Sequence, residues 1–523
     1  MNAKPHTALA LLAIAAALLA GCCPSAAPEA VIVTQLVVGE EKVVTVEKES
    51  GAAAEPTLTP PNDEPYEDVF FEDYGVNPFI DTEDDHLSTF AIDVDTGSYT
   101  VMRRFINDGY LPPDESVRVE EYINYFDQGY EPPAQGEGAF AIHIDGAPSR
   151  FGDEGYYLTR IGLKGYEIPA EERKDVVLTF VIDVSGSMDM ENRLGLVKDA
   201  LALLVGELRP SDQVGIVVYG SNAHIVLEHT AVGEGYEQIL DAIYRLHPEG
   251  ATNAEEGLVM GYEMAASAYN PQALNRVILC SDGVANVGRT GPDSILEQIA
   301  TYADEGIYLT TVGFGMGNYN DVLMEQLADQ GDGFYAYVDN IKEAERVFVH
   351  QLTSTLQVIA KDGKIQVDFN PAVVSRFRLI GYENRDVADE DFRDDSVDGG
   401  EIGAGHSVTA LYELKFHPDA SESEVAFVVT VRYQEPESGE TVEVSRAIAK
   451  ADFATSFTEA SPHFQWAAVV AEYAEILRNS YWAKGSSLEV VAQEARRVAE
   501  YLPGDEDVLE FVGLAERAAS LSR

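Results

Sequence analysis

Asp183, Ser185 and Ser187 close the stretch "VVLTFVIDVSGS", where an unbroken apolar run ends in a carboxylate and two hydroxyls spaced two apart. In near-extended backbone, residues two apart share a face, so all three oxygens can converge on one point. Three hard oxygen donors at the tip of a buried strand suit a hard cation, a phosphate or a nucleophile. Polar residues at other element ends must decide among these.

Two further stretches bear on the choice. "GATNAEEGL" puts Thr252 at a helix start, and "ILCSDG" puts Asp282 at another strand tip. The elements that carry them alternate from 174 to 357. "DVVLTFVIDV", "DQVGIVVYG", "AHIVLEH", "NRVILCSD", "IYLTTVGFG" and "GFYAYV" read as strands. "RLGLVKDALALLVGEL", "GYEQILDAIYRL", "NAEEGLVMGYEMAASAY", "SILEQIATYADEG", "DVLMEQLADQ" and "IKEAERVFVHQLTSTL" carry helical periodicity. This predicts a doubly wound, Rossmann-like α/β domain. In the strand order 3-2-1-4-5-6, strands one and four are neighbours and ligands bind at their carboxyl ends. Asp183, Ser185 and Ser187 follow strand one and Asp282 follows strand four, so five oxygen-bearing side chains from three loops face one spot.

"DVSGS", "GATN" and "LCSDG" resemble the metal-ion-dependent adhesion site of von Willebrand factor type A (vWA) domains, in the right order and each at the right element end. The resemblance implies that Ser185, Ser187 and Thr252 bind the ion directly, while Asp183 and Asp282 hold it directly or through water. The implied cofactor is magnesium, or manganese or calcium in its place. Magnesium takes six oxygens and sheds its waters reluctantly. Hydroxyl ligands leave much of its charge unneutralised, so an Asp or Glu carboxylate of a protein partner can take an open position. The flanking "STFAIDVDTGSY", "EEYINYF", "GYENR" and "EIGAGHSVTALYEL" are similar to a bacterial vWA lipoprotein family with characteristic regions on both sides of the vWA domain. This wider resemblance spans roughly residues 86 to 523.

The surrounding chain is strongly acidic, with 35 basic against 90 acidic residues and a net charge of −55. Such a surface repels nucleic acid and anionic lipid and attracts cations, so no nucleic-acid partner is expected. At the N-terminus Lys4 precedes an apolar run from Ala8 to Ala20, too short to span a bilayer as a mature helix. "LAGC", Leu19 to Cys22, resembles the bacterial lipoprotein signal. It implies that residues 1–21 are removed and Cys22 is lipidated, placing the protein outside the cytoplasm, at the cell surface or in the periplasm. Its only membrane contact would be the lipid anchor. The 3 cysteines give no disulfide framework, and Cys280 within "RVILC" reads as a small buried apolar residue.

A chain of 523 residues exceeds one core, so several domains are expected. Residues 22–85 read as an acidic, proline-rich tether, with a small hairpin in "VIVTQLVVGEEKVVTV". Residues 86–135 form an N-terminal vWA-associated region holding the apolar run "STFAIDV" and helices in "SYTVMRRFINDG" and "VRVEEYINYFDQ". In 136–170, "AFAIHIDGA" and "YYLTRIGLKG" alternate as strands. Over 362–455 the period is two again, an antiparallel β-domain. Two strands alone make a poor core, so 136–170 should pair with the later segment in one β-sandwich. The expected fold is therefore multidomain α/β plus β, with the vWA domain (174–357) inserted in the sandwich. A helical region over 458–523 opens at Ser461-Pro462 and continues from Ser487 and near Asp505.

Rival chemistries fit less well. A hydrolase would need Ser185 or Ser187 as nucleophile, yet neither sits in a G-x-S-x-G elbow and no histidine is placed by motif as its base. His247, in "LHPEGATN", reads as loop decoration and His406, in "GAGHSV", as structural. "GFGMGN", Gly313 to Asn318, follows the fifth strand, where tight turning accounts for it. "DVDTGS", Asp93 to Ser98, could mimic a second metal site, but EF-hand spacing fails at Gly97. The acidic run from Asp386 to Asp398 reads as a solvated loop, able at most to hold calcium weakly. A vWA subunit assisting assembly of an ATPase-linked complex is the alternative, and the export signal argues against it. The expectation is a non-enzymatic, surface-tethered lipoprotein that binds a protein through its vWA metal site.

Overall fold

The computed structural model describes residues 71–522, apart from 135, 151–154, 170–171, 284–291, 316–319, 352–356, 396, 398 and 437. The signal segment, Cys22, the expected hairpin and most of the tether lie outside the described residues. The chain begins with β1 (Ile80–Asp81), β2 (Leu87–Ala91), α1 (Gly97–Asp108) and α2 (Val119–Asn124), then β3 (Phe140–Pro148) and β4 (Tyr156–Gly165). Gly109, left-handed at φ 88°, closes α1 by donating its amide to Ile106 and Phe105 carbonyls. Helix α2 stops at Asn124, before the end of the periodic stretch that suggested it.

The α/β domain follows: β5 (Val176–Asp183), α3 (Arg193–Glu207), β6 (Gln213–Tyr219), β7 (Ala223–Ala231), α4 (Val232–Tyr244) and α5 (Ala254–Ser267). It is completed by β8 (Leu274–Ser281), α6 (Pro292–Asp304), β9 (Ile307–Phe314), α7 (Asp321–Asp329), β10 (Tyr335–Val338) and α8 (Ile341–Glu345). The sheet runs β10-β9-β8-β5-β6-β7, the order expected for a doubly wound fold. All neighbours pair in parallel except β6 and β7. Every residue of β5 is buried, as a central strand covered on both faces must be. Edge strand β7 is largely exposed. The last helix of the domain is not one α-helix: α8 gives way to a π-helical turn over Arg346–Gln351. There Arg346 lies 3.6 Å from the Tyr125 ring centroid and donates to the Tyr125 carbonyl at 2.8 Å, so tertiary contacts override the local helical period.

Beyond it lie β11 (Val358–Phe369), β12 (Val374–Ile380), β13 (Gly400–Gly403), β14 (Ser407–Phe416), β15 (Val425–Gln434) and β16 (Thr441–Ala449). One sheet is β1-β12-β14-β4-β3; the other is β13-β11-β15-β16, with β2 also paired to β11. The α/β domain is thus inserted into a sandwich. Strand β4 pairs antiparallel with β14, Ile161 opposite Ala410. Ile161, Leu163, Val408, Ile365, Val367, Phe427 and Val429 share the buried layer between the sheets, each worth about 1.5–3 kcal/mol of burial. Strand β2, within residues 86–135, pairs with β11 from Leu87↔Asp368 to Ala91↔Lys364 and completes the second sheet.

Helices Pro462–Leu477, Leu488–Ala499 and Glu506–Leu521 end the fold, capped by the side chains of Ser461, Ser487 and Asp505. They bury Trp466, Tyr473 and Phe511 against Tyr99 and Phe126 of the α1–α2 region. A charged contact fastens this layer to the α/β domain. Arg103, wholly buried, pairs with Asp339, with Glu343 at 2.8 Å and with Glu510 at 3.2 Å.

Candidate metal centre

Strand β5 ends at Asp183 because its side chain takes over the backbone's work. Asp183 Oδ1 accepts from the Ser185 amide at 2.7 Å, and a short 3-10 turn over Gly186–Asn192 follows. Ser185 keeps extended backbone, φ −61° and ψ 168°. Its hydroxyl lies 2.9 Å from that of Ser187, so the alternation read from the sequence does bring these oxygens together. Ile182 of β5 sits opposite Cys280 of β8, which delivers Ser281 and Asp282 to the same edge. Ser281 Oγ donates to Asp183 Oδ2 at 3.1 Å and accepts the Gly283 amide at 3.2 Å. Ser187 lies near enough to Asp282 to counter the rise of its carboxyl.

The Thr252 loop is laced to this turn. Gly250 O accepts from the Gly186 amide at 2.9 Å, the Glu249 amide donates to Val184 O, and Ser221 Oγ accepts from Ala251 at 3.0 Å. Thr252 is half-buried beside Asn253, whose side chain caps α5. Asp183, Ser185 and Ser187 are therefore joined by hydrogen bonds, Asp282 lies beside them, and Thr252 sits on an adjoining loop.

The electrostatics suit a cation. Asp183 is wholly buried, and that burial, together with the nearby Asp282, pushes its carboxyl up to about 7 against the pull of Ser185 and Ser281. Burial also raises Asp282, opposed by Ser187 and Arg193. Two carboxylates forced together in a dry site, with hydroxyl oxygens beside them, form a donor set that a hard divalent ion would relieve of its repulsion. The fit is good on this chemistry. Asp183 and Asp282 would supply charge, and Ser185, Ser187 and Thr252 neutral oxygens. His247 offers no base here: its ring is exposed and faces Glu249 at 3.3 Å.

Two participants escaped the sequence reading. Ser281 was visible only as the middle of "LCSDG", where Asp282 drew the attention. Arg193 opens α3 and donates through Nη1 to Asp282 Oδ2 at 2.6 Å, both side chains nearly buried. A cation at a helix N-terminus opposes the helix dipole, and that was the available signal that it has an acidic partner.

The "DVDTGS" segment meets a different fate. Buried Asp93, Asp95 and Glu325 have oxygens within 4.8 Å of one another, a spacing that could hold a metal. Arg385 of "GYENR" reaches all three, at 3.2, 3.5 and 3.1 Å, and Asp329 at 2.8 Å. The guanidinium serves there as a resident counter-ion joining the N-terminal region, the α/β domain and the sandwich. His406 is half-buried with its ring edge-on to Phe334, and Cys280 is buried in β8 as expected.

Known families and proteins resemble this chain along most of its length. The family described as von Willebrand factor type A domain matches residues 178–351, and that described as von Willebrand factor matches 65–158. The family described as Uncharacterized protein YfbK, C-terminal, matches 354–521. YfbK of Escherichia coli (strain K12) is 33% identical over 471 residues, covering 86% of this chain and 80% of that protein. The Synechocystis protein sll0103 is 27% identical over 276 residues, 52% of this chain and 64% of its own length. A solved von Willebrand factor type A protein from Catenulispora acidiphila is 15% identical at a TM-score of 0.43, covering 70% of this chain and 89% of that one. The chain belongs to the bacterial von Willebrand factor type A family that includes YfbK.

Proposed function

We propose that this protein is a non-enzymatic interaction module, anchored outside the cytoplasm, that binds a protein partner through a divalent cation. The carrying observation is the convergence of hydrogen-bonded Asp183, Ser185 and Ser187 with the neighbouring Asp282 at the carboxyl edge of the sheet. A bound magnesium ion, or manganese or calcium, supplies Lewis acidity toward an incoming carboxylate oxygen. The chain's own residues do the rest. Ser281 orients Asp183, the Gly186–Gly250 contact holds the Thr252 loop to the serine turn, and burial keeps competing water away.

The test is thermal. Magnesium or manganese should raise the melting temperature, by about 2.7 kcal/mol of added stability at a hundredfold excess over Kd. Asp183→Ala and Asp282→Ala should each abolish the increment. An unchanged metal response in both variants refutes the site. Anchoring is tested separately: Cys22→Ser should release the protein from membranes and Cys23→Ser should not. Equal retention of both would point to another tether.

A further inference from the structure

The two carboxylates of the site are not equivalent. Among the described residues Asp183 accepts from Ser281 and the Ser185 amide, both neutral groups. Asp282 carries a full counter-charge, Arg193, at 2.6 Å. The arginine side chain is 5% exposed, and its Nε has no hydrogen-bond partner among the described residues. Room for it comes from the opposite loop. Gly315 follows β9 with φ +85°, and a Cβ there would overlap Arg193 Nε and Cδ. The glycine of "GFGMGN" thus does more than turn the chain; it leaves the space in which the guanidinium lies.

We propose that Arg193 is a built-in counter-charge that competes with the cation for Asp282 and reserves positive charge in the loaded site for the partner's carboxylate. This rests on the metal reading above. The charge count gives the reason. Two ionised aspartates and a divalent ion sum to zero, which would offer an anionic ligand little attraction. With Arg193 the sum is plus one, and an incoming Asp or Glu neutralises it. Without the ion, Arg193 and two aspartates sum to minus one, so the guanidinium also makes the free site less costly to bury. Because arginine does not deprotonate in proteins, this is competition rather than a pH switch. The two effects oppose each other: Arg193 weakens metal binding and strengthens anion binding.

Water-proton relaxation with Mn2+ reads both constants without requiring a partner. Arg193→Gln should bind Mn2+ on the order of tenfold more tightly than the wild type, since a buried like charge is removed. The Mn2+-loaded variant should bind acetate, the carboxylate probe, several-fold more weakly. Arg193→Lys, which keeps the charge, should stay close to the wild type in both. Gly315→Ala, whose methyl displaces the arginine, should move both constants in the direction of Arg193→Gln and stands in for it if that variant fails to fold. Equal or weaker Mn2+ binding in Arg193→Gln overturns the proposal, as does unchanged acetate binding. Mn2+ uptake that is indifferent to Asp183→Ala overturns the metal reading instead, and the two failures are distinguishable.

Discussion

Tyr166 and Gln357 mark where the chain leaves the sandwich and where it returns, and their carbonyls accept from adjacent amides. Gly405 N donates to Tyr166 O and Ala404 N to Gln357 O, each at 2.9 Å. The two ends of the inserted domain are therefore fixed to one turn of the host.

Replacing residues 168–356 by a short glycine–serine linker should then leave a sandwich that still folds. It should melt cooperatively but at a lower temperature than the whole chain, because Arg103 and Arg118 lose buried partners in the α/β domain. Calorimetry checks this; the absence of a cooperative transition counts against the insertion as drawn.

Arg103→Met removes the cation shared by Asp339, Glu343 and Glu510. Stranding buried carboxylates should cost about 3–5 kcal/mol in urea unfolding. Neutralising the stranded partners with Asp339→Asn and Glu343→Gln should recover much of the loss. A loss that persists undiminished would assign Arg103's contribution to packing instead.

Burial, with Lys164 and Arg276 adding to it, lowers His406 from 6.5 to about 3. The folded state therefore keeps this imidazole neutral while the unfolded state takes up a proton. The stability it contributes is complete above pH 6.5 and is lost as the pH falls toward 3, by up to about 1.4 kcal/mol per unit. Comparing wild type with His406→Gln between pH 7 and 4.5 should show the wild type losing its advantage on the acid side. Parallel curves would contradict this.

Ser281→Ala deletes the donor that orients Asp183. Loss of such a supporting contact should weaken Mn2+ affinity by about 10–100-fold, with little change in the fold measured by circular dichroism. Unaltered affinity would make Ser281 a bystander.

Much of this was legible in the residues. Strand β5 and its neighbours announce themselves as apolar runs, and the doubly wound order follows from alternation of strand and helix, which is why Asp183 and Asp282 could be placed together. What stayed hidden depends on contacts with no local signature. Strand β2 is five residues long with no turn to a partner, and its pairing with β11 is decided by a neighbour far along the chain. Arg193 and Arg385 look like ordinary surface charges until the loops carrying Asp282 and Asp93 arrive beside them. The π-turn at Arg346 depends on Tyr125, again remote in sequence.

The insertion also sets an order of events during synthesis. Strands β1 to β4 leave the ribosome before the α/β domain, and of these only β3 and β4 are partners of one another; β14 follows only after the whole α/β domain has been made. During that interval Ile161 and Leu163 have no facing layer, and the β4 edge that will meet β14 stays unpaired. Non-local pairing of this kind is slow and exposes chains to aggregation. The α/β domain, built from near-neighbour strands, can fold before its host. Its closed ends then hold β4 and β11 at a short separation, so that a long-range search becomes a local one.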